Sequence, residues 1–383
     1  MTLLNTIRGI GVWWKPIAGV GALVALLFAW SSGSLQDYPH YVNQWDAATS
    51  AADPWAPTLR NAYGPGFLVM APFAELHELV PKVLFVLVWF GMAWYILMLS
   101  GANVRPYQVV LLILNPFLWV EIAYFGHFDI VIAALILLAV ICIESDRPAL
   151  AGVALGAGFV AKYYPAVVVP FVSRDWSKIS VGFVLSSIAG LVMTLWLWGT
   201  TFLETFRYGT TRNPSLLSPF RTIRAANKLV FEFEFDFDML SLPMVVIGLA
   251  GLYWYTRRLQ LSAPVGALTS LLVVLAFYKV GHPQFHIPVV VLLAYFFARR
   301  PESLRVKSVA WAASSYLVFL AGFNFLYMFI YAADQLEGTL WHLVTSGSGV
   351  PFFLIEAWLI WSLLRFEARF EEHQVRRTTA NIP

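Results

Sequence analysis

Charged residues are scarce in this chain. Asp, Glu, Lys and Arg make up only 12% of its 383 residues, about half of the roughly 25% found in soluble domains. Hydrophobic residues make up 59%, and the mean hydropathy of +0.70 means that apolar residues extend through nearly the whole length. The composition excludes a soluble globular protein and predicts that the bilayer is the solvent for most of the chain.

Cysteine and nucleotide-binding motifs are also lacking. Cys142 is the only cysteine, which excludes an intramolecular disulfide, a cysteine-ligated zinc site and an iron–sulfur cluster. The sequence contains no Rossmann fingerprint and no P-loop. The net charge is only +3 and the cations are scattered, which argues against a nucleic-acid surface. No internal repeat is present, which disfavours a transporter built from inverted repeats.

Apolar runs predict an all-α, polytopic transmembrane helical bundle of about ten crossings. The predicted crossings are 16–30, 81–100, 107–125, 129–144, 179–199, 241–256, 262–279, 284–298, 308–331 and 349–365. We expect the first to be an uncleaved anchor, because the residues that end it offer no convincing small-residue cleavage site; the alternative is a signal peptide. Two further apolar stretches, 62–76 and 149–173, contain prolines and are predicted to be broken or re-entrant. We interpret residues 1–383 as a single transmembrane domain.

The distribution of Lys and Arg predicts cytoplasmic N- and C-termini. In this orientation most of the 25 Lys and Arg residues lie on the cytoplasmic side, as the positive-inside rule requires. The external segments 31–61 and 200–240 are then too long to be simple turns, and we expect the functional site on that face. The short tails, without a retention signal, favour a prokaryotic plasma membrane.

Acidic residues of the external face are the candidate catalytic groups. Asp37 lies just beyond the first predicted span, where partial burial and a nearby cation would hold a carboxylate as a general base. The alternative for Asp37 is a helix cap or a solvated loop acid. Asp46, in the same segment, and His127 and Asp129, in the turn GHFD, are secondary candidates; Asp129 would alternatively cap the following helix. Metal binding by these side chains lacks a diagnostic spacing, so no metal or other cofactor is predicted.

Basic residues of the same face are candidate phosphate ligands. Lys162 lies in an apolar setting, where an unpaired charge costs at least ~2.5 to 3.5 kcal/mol, so it is either functional or snorkels to the interface. The segment 200–240 is rich in cations, and guanidinium groups suit phosphate; these cations are Arg207, Arg212, Arg221, Arg224 and Lys228. The alternative is pairing with the acids of FEFEFDFD at 231–238, whose alternation also fits a short strand.

A polar hairpin, FYKVGHPQFHIP at 277–288, completes this face. It brings Lys279, His282 and Gln284 to the same side of the membrane as Asp37. A zinc site built from two histidines would need a regular helix, which the prolines of the hairpin disfavour.

Four of these elements, taken in sequence order, resemble motifs of the GT-C superfamily of integral-membrane glycosyltransferases. They are Asp37-Tyr38 followed by Tyr63-Gly64-Pro65, the turn of Gly126, His127 and Asp129, the K-x-Y-P element of Lys162, Tyr164 and Pro165, and the hairpin of Lys279, Gln284 and Phe285. The chain most resembles the branch that holds the GPI mannosyltransferase I catalytic subunit and bacterial polyprenol-phosphate-mannose-dependent transferases. It departs from that branch in having one acid instead of D-x-D in the first loop, and His127 instead of Gln.

The resemblance implies a GT-C-like fold and an inverting transferase that moves a hexose from a polyprenyl-phosphate donor to a glycan, lipid or protein acceptor. The resemblance does not identify the sugar; mannose is the hexose that we expect. Asp37 would be the base. The donor phosphate would lie against cations drawn from Lys162, Arg207, Arg212, Arg221, Arg224 and Lys279, while Tyr38, Tyr63, His282 and Gln284 would contact sugar or acceptor.

Two other functions compete with this interpretation. A transporter or flippase of a lipid-linked sugar would also use about ten spans, an intramembrane lysine and external cations. A structural or assembly subunit is the third possibility, but it would have no need of Lys162 or Lys279.

Overall fold

The structure, a computed structural model, describes residues 13–56, 58–59, 63–101, 104–173, 176–228, 236–259, 261–333 and 339–380. Helices dominate these ranges. The α-helices are α1 (Trp14–Ser31), α2 (Tyr38–Thr49), α3 (Ala71–Leu76), α4 (Val80–Leu99), α5 (Pro106–Leu112), α6 (Pro116–Leu118), α7 (Asp129–Glu144), α8 (Pro148–Ala161), α9 (Trp176–Trp198), α10 (Glu204–Thr211), α11 (Pro219–Ala226), α12 (Ser241–Thr256), α13 (Ala263–Phe277), α14 (Ile287–Arg299), α15 (Lys307–Ala332) and α16 (Thr339–Ala380).

Shorter elements connect these helices. The 3-10 segments are Pro65–Met70, Tyr164–Val168, Thr201–Leu203, Phe237–Leu240, Pro283–His286 and Pro301–Arg305, and a π-helical segment covers Trp119–Tyr124. Two short strands, β1 (Ser215–Leu216) and β2 (Val280–Gly281), pair in parallel.

Seven described segments are long and apolar enough to cross a membrane. They are Trp14–Ser31, Val80–Leu99, Pro106–Tyr124, Trp176–Trp198, Phe237–Thr256, Lys307–Ala332 and Trp341–Phe370. The other three predicted crossings coincide with α7, α13 and α14, which have 16, 15 and 13 residues, fewer than the roughly 20 of a typical span. Large apolar side chains such as Trp196, Ile247 and Val318 are exposed on these segments. The predicted class, a polytopic transmembrane helical bundle, is confirmed.

Both stretches that the sequence predicts to be broken are interrupted. In the first, a 3-10 segment precedes the short α3. In the second, α8 ends at Ala161 and a 3-10 segment follows at Tyr164. Pro165 has no N–H to donate to the carbonyl oxygen of Ala161, four residues earlier, and in a continuous helix its ring would clash with that carbonyl. The interruption leaves Lys162 directly after the last turn of α8, where its side chain leaves the helix.

The described residues form two compact units. The first draws on Met1–Ala166, Ser177–Arg212 and Val290–Arg299, and the second on Val167–Trp176, Asn213–Val289 and Arg300–Pro383.

Close helix crossings hold the first unit together. Helices α7 and α8 pack against each other along their length. Helix α8 also meets α9 at glycines: a Cβ atom on Gly152 would lie 2.0 Å from the carbonyl oxygen of Ile179, and one on Gly182 would lie 2.1 Å from that of Ala149. Small residues of this kind allow membrane helices to approach backbone to backbone.

In the second unit, α16 packs against α11, α13 and α15. Two glycines pack closely against the backbone at the start of α11. A Cβ atom on Gly281 would lie 2.3 Å from the backbone nitrogen of Ser218, and one on Gly349 would lie 2.2 Å from its carbonyl oxygen. Because Ser218 is the N-cap of α11, these contacts fix the helix that carries Arg221 and Arg224.

Candidate active site

Asp129 is the centre of a buried polar cluster in the first unit. It is the first residue of α7 and is fully buried. The Nζ atom of Lys162 donates to both of its carboxylate oxygens, at 2.7 and 2.8 Å. The hydroxyls of Tyr63 and Tyr164 donate to the same carboxylate at 3.0 and 3.2 Å. Four hydrogen bonds from three donor groups meet the acceptor capacity of the carboxylate, so Asp129 serves as the counterion of Lys162 and its side chain does not cap the helix.

Lys162 is only 7% exposed, which rules out snorkelling to the interface. Its ammonium lies 4.4 Å from the ring centroid of Tyr63 and 5.7 Å from that of Tyr164. A buried ammonium needs a close countercharge and further polar contacts. Asp129 and the two aromatic faces supply them.

The sequence Tyr63-Gly64-Pro65-Gly66 places Tyr63 beside this lysine. The Gly64 backbone nitrogen donates to the carbonyl oxygen of Ala161 at 2.9 Å. A Cβ atom on Gly64 would lie 2.4 Å from the carbonyl oxygen of Val160, and one on Gly66 would lie 2.9 Å from the backbone nitrogen of Ala161. The two glycines are therefore needed for the close approach of this segment to the end of α8.

Helix α2, which begins directly after Asp37, contacts the cluster through Tyr41. The hydroxyl of Tyr41 lies 2.9 Å from that of Tyr63, and both side chains are buried. Asp37 is partly exposed, and its carboxylate acts electrostatically on Tyr41, Tyr63 and Lys162. Burial, reinforced by the carboxylates of Asp37 and Asp129, raises the pKa of Tyr41 well above its usual range. Its phenol therefore remains protonated and can donate.

The turn GHFD packs against the residue that follows Asp37. Gly126 has φ +78°, in the left-handed region, and a Cβ atom there would lie 2.7 Å from the Tyr38 ring. Tyr38 is itself buried, and its hydroxyl donates to the carbonyl oxygen of Glu78 at 2.7 Å. The predicted sugar contacts Tyr38 and Tyr63 thus lie below the protein surface.

Lys82, which sequence reasoning missed, fixes the segment that leads to Asp37. It is fully buried at the start of α4. Its Nζ atom donates to the Ser32 hydroxyl at 2.7 Å and to the carbonyl oxygens of Gly33 and Tyr124 at 2.9 and 2.6 Å. The available signal was a single cation in an otherwise apolar span.

His127 forms a buried pair with Glu121, a second residue that sequence reasoning missed. The Nδ1 atom of His127 lies 2.6 Å from Oε2 of Glu121, and both side chains are 1% exposed. Glu121 belongs to the π-helical segment, which turns this acid toward the GHFD turn. The Nε2 atom of His127 has no hydrogen-bond partner among the described residues.

Arg212 joins this group of residues from α10. It directly follows the helix, is half-buried, and lies 5.2 Å from the Tyr208 ring centroid. Its charge acts on Lys162. Arg207, on the same helix, is 75% exposed and pairs with Glu204 at 3.5 Å. The first unit therefore brings Asp37, Tyr63, Asp129, Lys162 and Arg212 into one neighbourhood.

The remaining predicted cations lie in the second unit. Pairing of β1 with β2 brings Lys279 beside the segment before α11, where the Ser215 backbone nitrogen donates to its carbonyl oxygen at 3.1 Å. Arg224 pairs with Asp238 at 3.2 Å, as the internal-pairing alternative predicts. Burial, followed by the neighbouring Arg224, lowers the pKa of Arg221. The Nε atom of Arg221 has no hydrogen-bond partner within the described ranges.

Other predicted residues have the following positions. Asp46 lies exposed on α2. Gln284 is 4% exposed, and its Oε1 atom has no described partner, while His282 is half-buried in the same hairpin.

Residues 231–235 of FEFEFDFD, predicted as a strand, lie outside the described residues, and Phe237–Leu240 form a 3-10 turn. No group of three or more His, Cys, Asp or Glu side chains in the described part could hold a metal ion.

A protein-family model described as glycosyltransferase family 87 matches residues 61–283, which is more than half of the chain. The chain belongs to glycosyltransferase family 87. This membership, on a membrane-spanning helical fold, confirms the predicted resemblance to the GT-C superfamily. The match to family 87 includes Tyr63, the GHFD turn, Lys162 and Lys279, whereas Asp37 lies upstream of it.

A solved structure also resembles this family 87 glycosyltransferase. It is the crystal structure of ArnT from Cupriavidus metallidurans bound to undecaprenyl phosphate. The two chains are 15% identical, the similarity covers 93% of this chain and 78% of that chain, and the TM-score is 0.46. No curated protein matches the sequence.

Proposed function

We propose that this enzyme transfers mannose from a polyprenyl-phosphate carrier to an acceptor hydroxyl, with inversion at the anomeric carbon and with Asp37 as the general base. The reaction would take place on the extracytoplasmic face of a prokaryotic plasma membrane, with both termini of the chain in the cytoplasm. The acceptor would be a glycan, a lipid or a protein. Membership in a glycosyltransferase family favours this function over a flippase.

The state of Asp129 is the observation that carries the choice of base. Its carboxylate accepts four hydrogen bonds, two of them from a buried ammonium. These contacts occupy the acceptor sites of the carboxylate and leave no free site at which an acceptor hydroxyl could bond to it. Asp37 is partly exposed and close enough to act on the same cluster. It is therefore the acid of this neighbourhood that an acceptor can reach.

In the proposed reaction, Asp37 takes the proton of the acceptor hydroxyl as its oxygen attacks the anomeric carbon. The bond between that carbon and the phosphate oxygen breaks through an oxocarbenium-like state, and its electron pair leaves with the polyprenyl phosphate. Cations near the departing phosphate stabilise the developing charge. Arg212 is the main candidate in the first unit, because the charge of Lys162 is already balanced by Asp129.

Three cations of the second unit are candidates for the same role. Arg221, Arg224 and Lys279 come together through α11 and the β1–β2 pair. The proposed contacts of His282 and Gln284 with sugar or acceptor lie on the same hairpin as Lys279. The unpartnered Oε1 atom of buried Gln284 supports a hydroxyl ligand there, because buried polar atoms normally have a partner.

The first test is a transfer assay on the purified protein. Wild type and Asp37→Asn are incubated with polyprenyl-phosphate-mannose and a membrane-lipid extract, and mannosylated product is detected by mass. We expect product from wild type and a kcat lower by roughly 10² to 10⁴ for Asp37→Asn, because general-base catalysis contributes that much. Asp146→Asn is the matched control, since Asp146 is an exposed acid in the turn after α7.

Each other outcome has a definite meaning. Equal product from wild type and Asp37→Asn would reject Asp37 as the base and direct attention to Asp46 and Asp129. Absence of product from wild type with this donor, together with movement of intact lipid-linked sugar across vesicles, would favour the flippase.

A further inference from the structure

A continuous path of buried polar contacts joins the helix of Asp37 to the Asp129–Lys162 ion pair. The hydroxyl of Tyr41 lies 2.9 Å from that of Tyr63. The Tyr63 hydroxyl donates to Oδ2 of Asp129 at 3.0 Å, and Lys162 completes the path at 2.7 Å. All four residues are at most 7% exposed. Water therefore cannot easily replace these bonds, and each of them constrains the segments it joins.

Tyr41 is well placed to control the position of Asp37. The backbone nitrogen of Tyr41 donates to the carbonyl oxygen of Asp37 at 3.3 Å, so the two residues are one helical turn apart. The opening residues of a helix have few internal hydrogen bonds of their own. A side chain anchored one turn later can therefore decide where the start of α2 lies.

Ring packing and hydroxyl bonding of these tyrosines can be separated. The Tyr41 ring packs edge-on against Tyr63 and Phe67, with centroids 5.1 and 5.2 Å away. Phenylalanine would keep this packing and lose only the hydroxyl. Replacement by Phe thus removes the link without opening a cavity of the kind that truncation of a core side chain leaves.

We propose that Tyr41 and Tyr63 are positioning residues that hold Asp37 at the acceptor hydroxyl by fastening α2 to the Asp129–Lys162 pair. This inference rests on the proposed role of Asp37 as the base. Neither tyrosine is a catalytic residue, because their side chains are 3% and 1% exposed and lie beneath the site. The ion pair joins α7 to the end of α8, and the two hydroxyls extend this rigid support to α2.

Kinetics of Tyr41→Phe and Tyr63→Phe test the inference, with polyprenyl-phosphate-mannose as donor. We expect kcat to fall about 10- to 100-fold, since a displacement near 1 Å of a reacting group can cost that much. The KM for the donor should stay within about twofold, because the lost interaction acts in the transition state. Tyr295→Phe is the matched control: Tyr295 is 2% exposed, and its hydroxyl also donates to a carboxylate, that of Glu144 at the other end of α7.

The decisive measurement repeats the two substitutions in the Asp37→Asn background. If the tyrosines act through Asp37, their removal should lower the residual single-turnover rate by less than about twofold, because no base remains to be positioned. A purely structural role would produce the same fold loss in both backgrounds and would overturn the inference. A comparable loss in Tyr295→Phe would also overturn it.

The outcomes separate this inference from the proposed function. Full activity of Asp37→Asn would overturn both. A large loss in Asp37→Asn together with wild-type kinetics of Tyr41→Phe and Tyr63→Phe would overturn the positioning role alone. Tyr41→Phe is the milder variant, since it removes the outermost bond and leaves all donors of Asp129 in place.

Discussion

The Asp129–Lys162 pair shows at the scale of single residues how a charge is tolerated in an apolar interior. Desolvation of two charges is offset only when geometry is good and the remaining donors and acceptors are satisfied. Here the carboxylate accepts four hydrogen bonds from three donor groups, and the ammonium lies against two aromatic rings. The pair is therefore more costly to break than to replace as a whole.

We predict that Asp129→Asn and Lys162→Met each lower the free energy of unfolding by roughly 3 to 5 kcal/mol, because each leaves an uncompensated buried group. The double variant should lose less than the sum, since it removes both charges together. Thermal and chemical denaturation in detergent would measure the free energies of unfolding of the single and double variants. Arg224→Met is a suitable comparison, because its pair with Asp238 is 41% exposed on the arginine side and should contribute about 1 kcal/mol or less. Additive losses in the double variant would contradict the interpretation.

Glycines act at the scale of the element, where they decide how closely segments approach. Gly126 combines a left-handed backbone with a contact to the Tyr38 ring. Gly64 and Gly66 instead bring a loop against the end of α8. The same residue type thus has two physical roles around one site.

We expect Gly126→Ala to destabilise the protein and to lower transferase activity. The new methyl group would meet the Tyr38 ring at 2.7 Å, and the positive φ adds strain for any residue with a Cβ atom. Gly322→Ala, in α15, is the control, because a Cβ atom there has nothing within 4 Å. Denaturation midpoints and transfer rates of the two variants would be compared. Equal denaturation midpoints of the two variants would show that the turn accommodates the methyl group without a loss of stability.

Hydropathy and prolines were sufficient to predict most elements. Long apolar runs predict the spans at 81–100 and 179–199, and the geometry of proline predicts the break before Pro165. The π-helical segment Trp119–Tyr124 could not be predicted, since its apolar pattern is compatible with an ordinary helix. Its consequence, the pairing of Glu121 with His127, depends on that local geometry.

The candidate site was predictable in its members but not in their roles. Chemistry-bearing residue types in an apolar chain pointed to Asp37, Asp129, Lys162 and Arg212. Sequence could not reveal that Asp129 neutralises Lys162, because the two residues are far apart in the chain and meet only through the folding of α7 and α8. Lys82 was detectable as a single cation in an apolar span, but its structural role was not, because its three oxygen partners lie on distant segments.

At the scale of the whole molecule, candidate phosphate ligands are divided between the two units. Arg212 belongs to the first, and Arg221, Arg224 and Lys279 belong to the second. The KM of a variant in each unit therefore tests separately whether that unit contacts the donor phosphate.

We predict that Arg212→Ala and Arg221→Ala each raise the KM for polyprenyl-phosphate-mannose by about 10-fold, the effect of losing one charge-assisted contact of roughly 1.4 kcal/mol. Arg257→Ala is the control. Arg257 is exposed and directly follows α12, so it lies at the opposite end of that helix from Ser241, whose hydroxyl accepts a hydrogen bond from the Lys279 backbone nitrogen. Steady-state kinetics at fixed ionic strength would measure the effect. An unchanged KM in Arg221→Ala, with a raised KM in Arg212→Ala, would place the donor phosphate at the first unit alone.

The single cysteine has a practical consequence for this enzyme. Cys142 is buried within α7, so the native chain offers little background to maleimide reagents. If one exposed residue, such as Asn43 on α2 or Ser145 after α7, is replaced by cysteine, labelling would then come from that new thiol. A membrane-impermeant maleimide applied to sealed vesicles would label only the thiol on the outer side, which turns the orientation of the chain into a gel-shift measurement.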